Sequence, residues 1–324
     1  MDPLNKEKKR KHHVISQTHL NPLDSYSRKK YSNLVLCGGG SKCIAFCGAI
    51  KYLENFDMLP SIERIIGTSA GALIGLLLIL NYSPAEIDDE IEILDGKKIF
   101  GPKNNITSFS FTSLPQIIYN LWYYNGINSG KYYHQYLKSV FSRKGLLFNI
   151  TFKELYDRTK KDYTIVATRL NDSSMVIFNH IKTPNLSVID ALRASTCIPF
   201  IFYPIKLGDY LYVDGGLKNN FPLSLVPKKG NTIALRLEID YEDCHLEEMT
   251  SIGFLWFVGR ILDSLFSNSW ADESYIRRKR NIDIFRIKVP NISFIDFDIN
   301  SHTKQILRNA GYDILNHNLL DRIN

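Results

Sequence analysis

The chain of 324 residues reads as one α/β domain of three layers, with helices on both faces of a central, mostly parallel sheet. Three observations predict this. Near the N-terminus, two short apolar strands each pass through a tight turn of small residues into a helix, and two such units in succession imply a parallel sheet. Farther along, strands and helices continue to alternate, and no change of composition after about residue 31 marks a domain boundary. Hydrophobic residues make up 44% and charged residues 23%, values of a globular protein that can bury a sizeable core.

In chain order, Ser32 to Cys37 is a short apolar strand ending in three glycines, and Ile44 to Phe56 follows as a helix. Ile62 to Ile66 is the next strand; it ends at Gly67 and gives way to the apolar helix Ala70 to Leu80. Asn81 to Pro84 breaks that helix, and Ala85 to Leu94 begins another with Ser83 as N-cap and Pro84 in its first turn. From Lys97 to Gly126 large apolar side chains crowd together without a strand period, so Phe109 to Tyr124 reads either as a cap over a pocket or as core. Tyr163 to Leu170 and Met175 to Asn179 form a pair of strands around an Asn171-Asp172-Ser173 turn, followed by a helix at Ser187 to Ala194. Tyr210 to Val213, Thr232 to Ile239 and Ile284 to Val289 are further strands. The helix Ser251 to Phe266, before the last of them, carries an apolar face of Phe254, Leu255, Val258, Ile261, Leu262, Leu265 and Phe266, read as core with interfacial binding as the alternative.

The formal charge of +7 is concentrated at the N-terminus, in Lys6, Lys8, Lys9, Arg10 and Lys11 and then Arg28, Lys29 and Lys30. Residues 1–31 are therefore expected to be a solvated, disordered arm, with attraction to anionic lipid head groups or a nuclear address as alternatives. No reader motif accompanies the basic run, so no nucleic-acid partner is expected. The lysines lead into no apolar stretch, which argues against a secretory signal peptide, and the most apolar run, Ala72 to Leu80, is far below the roughly 20 residues that span a bilayer. Cys37, Cys43, Cys47, Cys197 and Cys244 lack zinc-ligand spacing and suit a reduced intracellular setting, cytoplasmic or peripheral to membranes. The acidic clusters Asp88 to Glu90 and Asp240 to Asp243 lack calcium-loop spacing and read as solvated surface. Neither metal nor cofactor is expected.

Three segments carry chemistry. Gly67-Thr68-Ser69-Ala70-Gly71 fits GxSxG with a strand before and a helix after, the setting in which a sharp turn lifts a serine hydroxyl above a sheet. Such a serine needs a base to take its proton. His134, His180, His245, His302 and His317 sit in no recognisable motif, whereas Asp214 ends a strand and is followed by Gly215 and Gly216, which let the backbone turn tightly beside the serine. The third segment, Gly38-Gly39-Gly40-Ser41-Lys42, could cradle a phosphate or hold an oxyanion. It lacks the P-loop pattern, Cys43 replaces the third glycine of a dinucleotide fingerprint, and a serine elbow follows one unit later, so the oxyanion reading is the better one.

Together these segments resemble the patatin-like phospholipase family over roughly Asn33 to Val226: GGGSKC, GTSAG, DALRASTCIPFIF at Asp190 to Phe202, and YVDGGLKNNFP at Tyr212 to Pro222. The resemblance implies a catalytic core at 32–226 with 227–324 completing the same domain. It also implies a dyad of Ser69 as nucleophile and Asp214 as proton acceptor, with no catalytic histidine. Backbone amides around Gly38, Gly39 and Gly40 would hold the oxyanion, Lys42 stands where the family has a basic residue, and Asn220 and Pro222 match the Asn-x-Pro beyond the acid. Cys43 departs from a frequent glycine, which implies altered packing or else a thiol of lowered pKa. The implied reaction is a two-step hydrolysis, through an acyl-enzyme, of membrane phospholipid or another acyl-ester lipid, with peripheral membrane contact. An acyltransferase using the same dyad and a catalytically silent lipid- or protein-binding scaffold are the alternatives.

Overall fold

The computed structural model describes residues 29–94, 114–240, 254–267, 280–293 and 299–320. Its first two units are β1 (Tyr31–Leu36) with α1 (Ile44–Asn55), and β2 (Arg64–Thr68) with α2 (Ala70–Ile79). Then come α3 (Pro84–Ile93), α4 (Leu114–Tyr124), β3 (Gly126–Asn128), α5 (Lys131–Arg143) and α6 (Phe152–Thr159). The middle of the chain forms β4 (Asp162–Arg169), β5 (Ser174–Phe178), α7 (Val188–Ser195), β6 (Phe200–Phe202), β7 (Ile205–Leu207), β8 (Tyr210–Asp214) and the single turn α8 (Gly216–Asn219). It closes with β9 (Asn231–Ile239), α9 (Phe254–Ser267), β10 (Ile282–Val289) and α10 (Ser301–Leu320).

The main sheet has eight strands in the order β10-β9-β1-β2-β4-β8-β7, with β5 also paired to β4. The run from β10 to β4 is parallel, while β5, β7 and β8 are antiparallel to their partners, so the fold is α/β with a mostly parallel central sheet. Leu34, Val35 and Leu36 of β1 and Ile65 and Ile66 of β2 are buried, as central strands covered on both faces must be. Every residue of α2 is buried as well, which explains why it is apolar all round.

The register around β4 brings two distant parts of the chain together. β2 pairs with the first half of β4, ending at Thr68 opposite Val166, and β8 pairs with the second half in the opposite direction, ending at Asp214 opposite Ala167. β5 covers the same β4 residues from the other edge, so β2 and β8 share one edge and meet end to end. The residue after Thr68 is Ser69. Asp214 ends a strand, as the sequence predicts; that strand, β8, is antiparallel to β4, and this head-on approach is what carries the acid to the serine.

Other expectations need correction. The arm does not extend to residue 31: Tyr31 opens β1, its hydroxyl donates to Asp283 at 2.7 Å, and Lys29 pairs with the same carboxylate at 2.6 Å. Residues 1–28 lie outside the described part. Asp88 to Glu90 is not simply solvated, because Asp88 pairs with Arg308 of α10 and the buried Glu90 with Arg143 of α5. In α9 Leu262 is buried, Phe266 packs on the core, and Ile261 and Leu265 are exposed; the side chains of Phe254, Leu255 and Val258 lie outside the described residues, as do residues 95–113, 241–253 and Cys244.

The elbow depends on close backbone packing. A Cβ on Gly71 would stand 2.4 Å from the Cys37 carbonyl oxygen and 2.6 Å from that of Leu36. Both obstacles are backbone, one in the central strand β1 and one directly after it, and cannot step aside. Gly71→Ala is expected to cost about 3 kcal/mol in a urea denaturation experiment, the upper end for overpacking a core.

Candidate active site

Ser69 sits between β2 and α2 at φ 52, ψ −124, a conformation that L-residues avoid and that surrounding structure must impose. It is the N-cap of α2, so the positive end of that helix dipole lies beside it. Its hydroxyl donates to Asp214 Oδ2 at 2.5 Å, and the second carboxylate oxygen accepts from the Gly216 N–H at 2.7 Å. Asp214 is 1% exposed and Ser69 7%. Burial pushes the Asp214 carboxyl up to about 7, against which the two hydrogen bonds pull it down.

A second layer fixes this pair. The Ser69 N–H donates to Ser195 Oγ at 2.9 Å, and that hydroxyl donates in turn to the Val166 carbonyl at 2.6 Å. Thr168 Oγ1 donates to the Asp214 carbonyl at 2.9 Å. A Cβ on Gly215 would meet the Val166 carbonyl oxygen at 2.2 Å, so only glycine lets the chain turn there against β4. The sequence reading gave Ser195 and Thr168 no role. Ser195 lies inside the quoted segment DALRASTCIPFIF, but nothing local says that it faces Ser69.

The glycine loop borders the same space. The Gly38 N–H already donates to the Asn220 carbonyl at 3.0 Å, and Asn220 Nδ2 donates back to the Gly38 carbonyl at 3.4 Å, so Gly38 ties the loop to the segment beyond the acid. That leaves the amides of Gly39 and Gly40 as the loop's candidate oxyanion donors. Ser41 is buried and its hydroxyl donates to the Ser293 carbonyl, away from any reacting atom. Lys42 is buried and pairs with Asp263 at 3.4 Å; burial lowers its pKa and Asp263 opposes this. Thr68 is a strut, its hydroxyl donating to the Asn219 carbonyl at 2.9 Å. Burial pushes the Cys43 thiol up to about 12, so it is a small packing group and not a thiolate.

Among the described residues two spaces open onto Ser69. One, of about 370 Å³, is bounded by the glycine loop, Ser69, Asp214 and Asn220, with the charged side chains of Lys42, Arg236, Glu238 and Asp263 at its wall. The other is a narrow apolar slot walled by Cys43, Ala70, Leu73, Leu94, Tyr133 and Phe202. No histidine borders either space among the described residues. Nor does any group of three His, Cys, Asp or Glu among them have the arrangement of a metal site.

The profile of the family described as "Patatin-like phospholipase" matches residues 34–226, more than half of the chain. The chain belongs to the patatin-like phospholipase family. Membership places it in the hydrolase chemistry of lipid metabolism. Among its relatives, the chain is 29% identical over 214 residues to "Probable lipid hydrolase 463L" of invertebrate iridescent virus 6, covering 64% of this chain and 67% of that one. It is 25% identical over 292 residues to the uncharacterized protein YqhO of Bacillus subtilis, covering 87% of this chain and 95% of that one. The crystal structure of VipD from Legionella pneumophila superposes with a TM-score of 0.55 at 19% identity, over 90% of this chain and 67% of that one, a likeness of fold.

Proposed function

We propose that this protein hydrolyses fatty-acyl esters of membrane lipids, in the manner of a phospholipase A, with Ser69 as nucleophile and Asp214 as its base. The observation that carries this reading is the buried 2.5 Å hydrogen bond from Ser69 Oγ to a carboxylate whose pKa is raised to about 7. A base near neutrality can both take and return a proton at working pH. Asp214 Oδ2 takes the Ser69 proton as Oγ attacks the acyl carbonyl, and the Gly39 and Gly40 amides with the α2 N-terminus receive the charge that develops on the carbonyl oxygen. Asp214 then protonates the leaving alcohol. Water, deprotonated by the same carboxylate, attacks the acyl-enzyme; Asp214 returns that proton to Ser69 Oγ as the acyl–oxygen bond breaks, which frees the fatty acid and restores the dyad. In this reading the apolar slot, about 50 Å³ in volume, takes the first carbons of the acyl chain and the polar space the alcohol portion, and neither step calls on a metal.

The pH profile follows from the sign of the shift. Only ionised Asp214 accepts the proton, so kcat/KM for a dissolved ester should rise about tenfold per pH unit up to about 7 and then level off. A flat profile between pH 5 and 8 would contradict Asp214 as the base. The direct assay is release of fatty acid from mixed-chain phosphatidylcholine vesicles with EDTA present. Release is expected, and its absence from phospholipid and other acyl-ester lipids alike, with folded protein, would count against a hydrolase.

A further inference from the structure

α4 is apolar on two faces, and among the described residues only one of them packs on the core. Ile117 and Leu121 pack on the core, and Asn120 Nδ2 donates to the Ile127 carbonyl at 3.2 Å, which fixes the helix against β3. On the opposite side Trp122 is 80% exposed, Tyr123 64% and Ile118 56%, with Tyr119 also exposed; Tyr124, on the side of Ile117 and Leu121, is at the edge, its ring 6.1 Å from that of Tyr119. The spacing of Ile118 and Tyr119 with Trp122 and Tyr123 stacks them on one stripe one turn apart. None of the eleven residues LPQIIYNLWYY carries a charge. A helix with a second apolar face needs a second apolar surface to cover it, and Trp and Tyr are the side chains that suit the boundary between hydrocarbon and head groups.

What would cover this face is indicated by where it stands. Tyr124 stacks on Tyr203 at 4.7 Å, and β3, which follows directly, pairs with β6 so that Asn128 stands opposite Phe202. Phe202 is a wall of the apolar slot that opens on Ser69. The uncharged aromatic face is thus continuous with the wall of the space assigned above to the acyl chain. We propose that the outer face of α4 seats on the surface of a phospholipid bilayer, so that an acyl chain leaving the bilayer reaches the slot beside Ser69. This rests on the reading of the protein as a lipid hydrolase. Because the face holds no charge of its own, zwitterionic lipid suffices and added salt leaves the attachment intact.

The test is flotation of the full chain with phosphatidylcholine vesicles at low and high salt, for wild type, Ser69→Ala and the double variant Ile118→Ser/Trp122→Ser. The substituted side chains lie mostly in solvent, so the variant keeps its core. Turnover of a dissolved short-chain ester, independent of a lipid surface, should be unchanged. Vesicle partition is expected to fall at least tenfold in the double variant, and to be retained by Ser69→Ala. Equal partition of wild type and double variant, a wild type that does not float, or a wild-type dimer that the substitutions convert to monomer would each overturn the proposal. Flotation needs no catalysis, so a wild type that floats but hydrolyses neither substrate removes the catalytic reading and leaves the surface standing.

Discussion

Asp214→Asn is expected to lower ester hydrolysis by about 10⁴-fold and, above pH 7, to make the protein more stable. The activity loss follows because an amide cannot accept the Ser69 proton. The stability gain follows from linkage. The native carboxyl is raised from 3.8 to about 7, so between those values the folded state binds more protons than the unfolded state, and stability falls as pH rises through that window. At pH 8 the folded protein holds an ionised, buried carboxylate at a cost of up to about 4 kcal/mol. Asn removes the charge and keeps the shape. Its Oδ1 can accept from the Gly216 N–H and its Nδ2 can donate to Ser69 Oγ, so both positions stay satisfied. The check is the melting temperature of both proteins at pH 4 and pH 8. The variant should gain at pH 8 and little at pH 4, where the wild-type carboxyl is largely protonated.

Ser69→Ala should be the more damaging change to activity, about 10⁶-fold in kcat, because it removes the atom that forms the acyl-enzyme. Its effect on stability has the opposite sign. The Ser69 hydroxyl is one of two donors to the buried carboxylate, and its loss leaves Oδ2 without that partner. A cost of about 2 kcal/mol at pH 8 is expected in urea denaturation. Two inactive variants, one stabilised and one destabilised at the same pH, are what a strained base held beside its nucleophile predicts. If both changes lowered stability equally, Asp214 would be an ordinary structural acid.

The parts of this site legible in the sequence were those encoded locally. The elbow, the glycine run and the Asp-Gly-Gly turn each announce a backbone need through small residues, and the strands beside them are short apolar runs. What joins them is not local. That β8 runs against β4 and meets β2 end to end is set by pairing between residues about 100 apart or 45 apart, which no periodicity reports. The same holds for Ser195, whose side chain bridges Ser69 and Val166. The hydrogen bonds that tie Gly38 to Asn220, 182 residues away, are hidden from the sequence for the same reason. α6 is a different case: Thr151 and Glu154 form a reciprocal capping box, a signal that stood in the sequence unread. α4 lacked a strand period because it is a helix, and its second apolar face hid the amphipathic pattern by which helices are recognised.

The central claim is that Ser69 is a nucleophile activated by Asp214, and covalent labelling tests it most directly. Wild-type protein treated with a fluorophosphonate probe at pH 8 should carry one adduct, mapped by mass spectrometry to Ser69. Ser69→Ala should carry none, and Asp214→Asn should label at least a thousandfold more slowly despite its higher melting temperature. An adduct on another residue, or Asp214→Asn labelling at the wild-type rate, would contradict the account.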